Sequence, residues 1–511
     1  MGQSSTRVTA SPYVSDISLC KTLEDTANFD AALAHRVSKR AETFVKDIRS
    51  TKKAGLMEVF LAEYGLSTDE GVALMCLAEA LLRVPDPATI DALIEDKIAA
   101  SDWSSHLGHS TSPLVNASTW ALVLTGKVLD EQSPGVIGHL RNVAKRLGEP
   151  VIRRAVAQAM REMGRQFVLG ETIESAMERA KGMEAKGYCY SYDMLGEAAK
   201  TRADAERYHL SYSQAITAIS KACSFEDIRQ NPGISVKLSA LHPRYELAQK
   251  KRVMSELVPR LSALVHLAKS AHMGLNIDAE EADRLELSLD VIEATLKDPA
   301  LAGWDGFGVV VQAYGKSAGA VIDHLYDLAI RLDRKIMIRL VKGAYWDTEI
   351  KRAQVKGLAE FPVFETKSMT DISYIANARK LLSMNDRIYP QFATHNAHTV
   401  AAVLEMASAD AVFEFQRLHG MGEALYEQMR RSNSKQCRIY APVGAHRDLL
   451  AYLVRRLLEN GANSSFVHQI MDKTVDAQVI CENPVAKRDQ MASPLMKEQS
   501  FLLRHAKFHW F

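Results

Sequence analysis

The sequence predicts an α/β chain in which an all-helical N-terminal region precedes a (βα)8 TIM-like barrel. Three observations carry that prediction. Beyond Gly170, eight short apolar segments alternate with amphipathic helical ones over roughly 290 residues, the size of a closed (βα)8 barrel. One of them, KIMIRLVKGAY (335–345), is a nearly continuous apolar, β-branched run, the pattern of a parallel strand covered on both faces. The rival architecture, a doubly wound open sheet, usually carries a glycine-rich phosphate turn after its first strand, and neither GxGxxG nor GxxxxGK occurs.

Composition bounds the function classes. The 511 residues have room for a barrel-sized domain and a smaller one, and 47% apolar with 24% charged residues is ordinary for a globular protein. A net charge of +1, with no strong Lys/Arg concentration, argues against a nucleic-acid partner. Six cysteines without a CxxC pair read as reduced thiols, not as a disulfide frame or zinc site. No apolar run is long enough to span a bilayer and no secretory signal is evident, so a cytoplasmic protein is expected.

In chain order, residues 1–65 read as an N-terminal arm, extended or helical over their first 45 or so. Residues 66–169 read as a helical domain and linker. STDEGVALMCLAEALLRV opens on a cap-like Ser67 and stops at Pro85 and Pro87; further helices are expected at Asp91–Ala99 and Val151–Phe167, with a loop at 101–113. The barrel is assigned to 170–475 and a C-terminal tail to 476–511. Its strands are read as YCYSYDML (188–195), ISVKLSAL (234–241), GLNIDAEEAD (274–283), GFGVVVQAY (306–314), KIMIRLVKGAY (335–345), IYPQFATHN (388–396), AVFEFQRLHG (411–420) and CRIYAPVG (437–444). Helices are expected between them at Val253–Ser270, Ala318–Leu332, Asp371–Leu382 and Arg447–Asn460.

The active site of such a barrel gathers at the C-terminal ends of its strands. Those ends carry Asp193 and Glu197, Lys237, Asp278 with Glu280 and Glu281, Gln312 with Tyr314, and Arg339 with Lys342, Tyr345 and Trp346. Thr394, His395 and Asn396 follow, then Gln416, Arg417 and His419, and finally Tyr440. Eight polar ends together point to a large, polar-rimmed pocket for cofactor and substrate. Arg339 interrupts its apolar strand and needs an anionic or polar partner there. His395, His398 and His419 lack the spacing of a metal site and are expected to be hydrogen-bonded histidines, with no metal bound. Lys237 or Lys342 could form a Schiff base in an aldolase or lyase, and a binding protein without catalysis is a further alternative.

Seven segments in order, VKLSALHPRYE, NIDAEEADRLELSL, RLVKGAYWDTEIKRAQ, ATHNAHT, EFQRLHGMGEALYEQ, RIYAPVG and YLVRRLLENGANSSF, closely resemble the proline dehydrogenase domain of bacterial proline utilization A proteins. The resemblance runs from about Tyr188 to Val467, and the preceding helical region is similar to that family's arm and helical domain. It implies a distorted (βα)8 barrel that oxidises L-proline to Δ1-pyrroline-5-carboxylate by hydride transfer from proline C5 to N5 of noncovalent FAD. The electrons then pass to a quinone met peripherally at the membrane surface. By position, Arg339 matches the arginine near flavin N5. Val310, Gln312, Val341, Lys342, Gly343, Ala344, Trp346, Thr394, His395, Asn396, Gln416 and Glu459 match further FAD contacts. Lys237, Asp278, Tyr345, Leu418, Tyr440, Tyr452, Arg455 and Arg456 match the proline pocket, with Lys237 and Asp278 beside Arg339 as the catalytic set. The family's aldehyde dehydrogenase domain and its ribbon-helix-helix DNA-binding module are not seen here, so the chain reads as the proline dehydrogenase part alone.

Overall fold

The computed structural model describes residues 12–50, 86, 89, 168–432, 435–444, 469–470 and 474–491. Eight parallel strands close into a barrel in sequence order, β1 (Cys189–Met194), β2 (Gly233–Val236), β3 (Leu275–Ile277), β4 (Phe307–Gln312), β5 (Ile336–Val341), β6 (Ile388–Ala393), β7 (Glu414–Leu418) and β8 (Gln436–Val443), with β8 returning to pair with β1. Every expected strand is present. Several are shorter than their apolar run, because the run continues into the turn above the barrel.

The clearest difference is at β2. ISVKLSAL reads as one strand to Leu241, but the ladder ends at Val236 and Leu238–Leu241 is a helical turn. The amide of Lys237 leaves the sheet to donate to Tyr212 Oη at 3.2 Å, and Ala240 N returns to Lys237 O. Four buried apolar or small residues look alike in either geometry when both faces are covered. β3 likewise stops at Ile277, and β7 starts only at Glu414.

The outer helices begin where their caps allow. Lys367–Leu382 starts four residues before Asp371 because Thr366 accepts from Met369 N, and Lys250–Ser270 starts three before Val253. Ala318–Arg331 falls where it was expected. Thr201 with Asp204 and Thr172 with Ser175 close capping boxes on Arg202–Ser220 and Ile173–Glu184. The helices expected within 66–167 and at Arg447–Asn460 lie outside the described residues.

The described N-terminal stretch is helical from Asp16 onward and belongs to the barrel's outer layer. Helix α1 (Asp16–Ala27), capped by Ser15, packs on Lys367–Leu382. Helix α2 (Ala31–Ser50) packs on Ala397–Met406 and Glu423–Ser432. Leu33, Val37, Ala41, Phe44 and Val45 recur at helical spacing and are all buried in the main apolar core. Pro484–Met491 also packs on Lys367–Leu382, while Arg49 donates to the carbonyls of Ile470 and Gln469 at 3.1 and 3.2 Å. Both ends thus cover one side of the barrel. Among the described residues no helix is long and apolar enough to cross a membrane.

Because Phe44 is buried against the barrel's outer helices, Phe44→Ala is expected to destabilise the whole fold by about 3–5 kcal/mol. The shift in a chemical denaturation midpoint measures it, and a change below about 1 kcal/mol would make α2 an accessory arm instead.

Candidate active site

The inside of this barrel is polar. Side chains at alternate positions share a face, and the inward set includes Ser191 and Asp193 on β1, Ser235 and Lys237 on β2 and beyond it, Asn276 and Asp278 on and after β3, and Arg339 on β5. Gln391, Glu414, Gln416, Arg438 and Tyr440 on the last three strands complete it. TIM barrels more often fill this space with branched apolar residues. Here the space holds a hydrogen-bonded network, and its upper layer is the candidate site.

Arg339, 2% exposed, is the centre of that layer. Its Nη1 donates to Ser235 Oγ at 2.9 Å and to Asp278 Oδ1 at 3.2 Å, and its Nη2 donates to Ser191 Oγ at 3.1 Å. Its guanidinium carbon lies 5.1 Å from the centre of the Tyr440 ring. Tyr440 Oη in turn donates to Asp278 Oδ2 at 2.8 Å. Lys237 Nζ completes the layer, bonding Asp193 Oδ1 at 2.6 Å and Asp278 Oδ2 at 3.2 Å. Two cations face two carboxylates, so the burial of each charge is compensated.

This geometry bears on the lysine chemistry. Burial works against charge on Lys237, yet Asp193, Tyr440 and Asp278 outweigh it and hold the ammonium well above its usual range. Schiff-base formation needs the free amine, so Lys237 is poorly placed as a nucleophile. Burial, with Asp193 and Asp278 nearby, keeps the Tyr440 hydroxyl protonated. Tyr440 therefore remains a donor.

Around this layer the other expected residues divide. Gln312 ties three loops together, donating to Glu280 O at 2.8 Å and accepting from Ala344 N at 3.5 Å. Gly343 adopts φ +137°, and a Cβ there would lie 2.6 Å from the Tyr314 ring, so only glycine fits this turn. Val310 is buried and Val341 half-buried beside it. Lys342 is paired with Asp371 of Lys367–Leu382. Tyr345 caps, and Trp346 begins, the helix Trp346–Val355; the indole donates to Phe364 O at 2.8 Å and is 40% exposed. Thr394 Oγ1 accepts from Asn396 N, Asn396 caps Ala397–Met406, and His395 Nε2 accepts from Leu418 N at 3.0 Å. His398 differs from expectation. Its ring is buried with neither nitrogen hydrogen-bonded among the described residues, and burial lowers its pKa to about 4. Tyr452, Arg455, Arg456 and Glu459 lie outside the described residues.

Asp193 appears among the polar strand ends in the sequence but with no role, and Ser191, Ser235, Asp371 and Glu414 were missed. Strand alternation was the available signal: Ser191 and Asp193 must share the inward face of β1, as Ser235 of β2 and Lys237 just beyond its end also do.

The residues present fit the flavin implied by the sequence resemblance. Gln416 Oε1 and Arg339 Nε are buried without a hydrogen-bond partner among the described residues, an acceptor and a donor that only a further polar group could satisfy. Lys342 and the N-terminus of Ala397–Met406 suit a diphosphate.

Residues 176–469 match the family model described as proline dehydrogenase, and residues 56–167 match one described as the DNA-binding domain of proline dehydrogenase. The second match runs against the expectation of no nucleic-acid partner and falls on residues outside those described. The chain is 53% identical over 483 residues to the bifunctional protein PutA of Klebsiella aerogenes, covering 92% of this chain and 37% of that protein. It is 28% identical over 318 residues to proline dehydrogenase 1 of Bacillus subtilis, covering 61% of this chain and 92% of that one. A crystal structure of a Bradyrhizobium japonicum proline utilization A variant superposes with a TM-score of 0.73 at 51% identity, over 96% of this chain and 49% of the other. The chain therefore spans well under two thirds of its bifunctional relatives.

Glu280, beside this site, generates a pH prediction. Burial pushes its carboxyl up to about 7 from the ordinary 4.5, only partly offset by the Ser239 amide at 3.0 Å and by Arg284. A raised carboxyl binds its proton more tightly when folded, so its contribution to stability falls as pH rises from about 4.5 to about 7, by on the order of 3 kcal/mol. Glu280→Gln is expected to raise the melting temperature over the parent at pH 8 and to give no gain at pH 5. Equal effects at both pH values would remove Glu280 as a titrating group.

Proposed function

The chain belongs to the proline dehydrogenase family, and from that premise we propose that it oxidises L-proline to Δ1-pyrroline-5-carboxylate with FAD, the first step of proline catabolism to glutamate. The observation that carries the proposal is the joining of Lys237, Asp278, Arg339 and Tyr440 in one buried layer at the barrel mouth, together with the Gln416 acceptor left without a partner among the described residues. FAD, when bound, supplies the acceptor for the hydride that leaves proline C5. A quinone at the membrane surface, reached peripherally from the cytoplasm, takes the electrons onward.

The chain's own residues bind and orient. Lys237 presents a fixed positive charge to the substrate carboxylate, and Arg455 and Arg456 add forked donors suited to a planar carboxylate. Tyr440 and Tyr452 wall the proline ring, with Tyr345 and Leu418 closing the pocket. Asp278 holds Lys237, Arg339 and Tyr440 at once, so substrate and cofactor contacts share one anchor. Arg339 places a fixed, desolvated cation where negative charge develops during reduction. Lys342, Thr394, His395, Asn396, Trp346 and Glu459 serve the rest of the cofactor. DNA binding by residues 56–167 is a separate reading, supported by the second family match and tested by mobility shift with duplex DNA.

Purified protein should be yellow, and L-proline added without oxygen should bleach the flavin absorbance. A colourless protein that takes up no FAD, or a flavin that L-proline leaves oxidised, would sink the proposal; an aldolase or a binding module predicts that outcome. Arg339→Met should fold and lose on the order of 100-fold in kcat, and unchanged turnover would remove it from the site. Arg455→Met or Arg456→Met should raise KM for proline on the order of 30-fold with flavin loading unchanged. A KM near the parent's in both variants would return these arginines to solvent.

A further inference from the structure

Below the layer that holds Arg339 lies a second buried cluster, centred on Glu414, which is fully buried. Glu414 Oε1 accepts from Gln416 Nε2 at 2.7 Å, from Arg438 Nε at 2.8 Å and from Gln391 Nε2 at 3.0 Å, and its Oε2 accepts from Tyr389 Oη at 3.3 Å. Gln391 is held from its other side, its Oε1 accepting from Asn276 Nδ2 at 2.9 Å. An ionised carboxylate can only accept. Gln416 must therefore turn its amide nitrogen down towards Glu414, and its carbonyl oxygen is left over. That oxygen is the buried acceptor without a partner among the described residues.

We propose that Glu414 is a positioning residue for the cofactor: by fixing the amide of Gln416 it presents one carbonyl acceptor at the barrel mouth, which selects a flavin whose imide nitrogen, N3, carries its hydrogen. The assignment rests on the FAD reading above. Arg438 is part of the device, because its Nε shares Glu414 Oε1 with Gln416 and compensates the buried carboxylate. Without Glu414 to accept from its nitrogen, the Gln416 amide could turn over. Glu414 never touches the flavin itself. Its effect is to convert an amide that could present either end into one that presents only its oxygen.

The test is the ratio of dissociation constants for FAD and its N3-methyl analogue, measured by flavin fluorescence on protein reconstituted with each. One hydrogen bond to a buried acceptor favours FAD by on the order of 10-fold in the parent. Glu414→Gln keeps an oxygen facing Arg438 and should retain that ratio within about twofold. The double variant Glu414→Met/Arg438→Met removes the buried charge with its partner and should bring the ratio close to one. A general loss of packing would weaken both ligands alike and leave the ratio untouched. If the double variant does not fold, Glu414→Met alone carries the same expectation, because it removes the acceptor that holds the Gln416 nitrogen. A parent ratio of one, or a ratio of about 10 that survives in the charge-removing variants, overturns the assignment. A parent that takes up neither flavin would instead sink the proposed function.

Discussion

An arginine inside a closed barrel sets the terms for everything above it. A guanidinium cannot lose its proton at any accessible pH, so its burial must be met by partners rather than by neutralisation. Arg339 obtains them from four strands or strand ends, Ser191, Ser235, Asp278 and Tyr440. Each partner is short or aromatic, so the guanidinium sits across the barrel axis and not along its wall. Asp278 then has a further task, since its second oxygen receives both Lys237 and Tyr440. Removing Asp278 would leave Arg339 without its carboxylate partner in an interior that cannot solvate it. The site is consequently stiff at its base, and its adaptability must come from the rim.

Two polar layers stacked in one barrel is an expensive interior. Each buried donor or acceptor left unpaired costs on the order of 1–3 kcal/mol, yet the lower layer of Asn276, Gln391, Glu414, Gln416 and Arg438 is almost entirely paired. Its one exception among the described residues, Gln416 Oε1, is the acceptor left over for a further polar group. A barrel filled with branched apolar residues would be simpler to fold but could fix neither amide orientation nor charge. Polarity here serves specificity, with the outer helices left to supply the hydrophobic stabilisation.

How far the residues alone reveal this can be argued position by position. The strands were legible because a parallel strand covered on both faces leaves an unbroken apolar run, as in β5 and β4. Arg339 stood out as a charge within such a run. Lys237, Asp278 and Tyr440 were legible as polar strand ends, and the family resemblance sorted them between cofactor and substrate. Ser191, Ser235 and Glu414 were missed because a serine or glutamate within a strand gives no local sign of whether it faces inward. Their roles exist only once β1, β2 and β7 are brought together around Arg339 and Gln416. The end of β2 was overread for a different reason: Leu238–Leu241 is buried on all sides, and periodicity vanishes where there is no exposed face.

The clasp formed by the two chain ends has a consequence for biosynthesis. Asp16 accepts from the amide of Glu365, Arg379 donates to Ala27 O, and Arg49 donates to Ile470 O, pairings separated by 349, 352 and 421 residues. Ribosomes add about 5–20 residues per second. Helices α1 and α2 therefore emerge roughly 20–80 s before the last of the surface they cover. During that interval the stripe of Leu33, Val37, Ala41, Phe44 and Val45 has no native partner and is open to chaperones and to neighbouring nascent chains. A segment with such a wait is under selection for an amphipathic helix soluble enough to survive alone. The exposed Arg36, Lys39 and Lys46 of α2 meet that demand before any barrel exists.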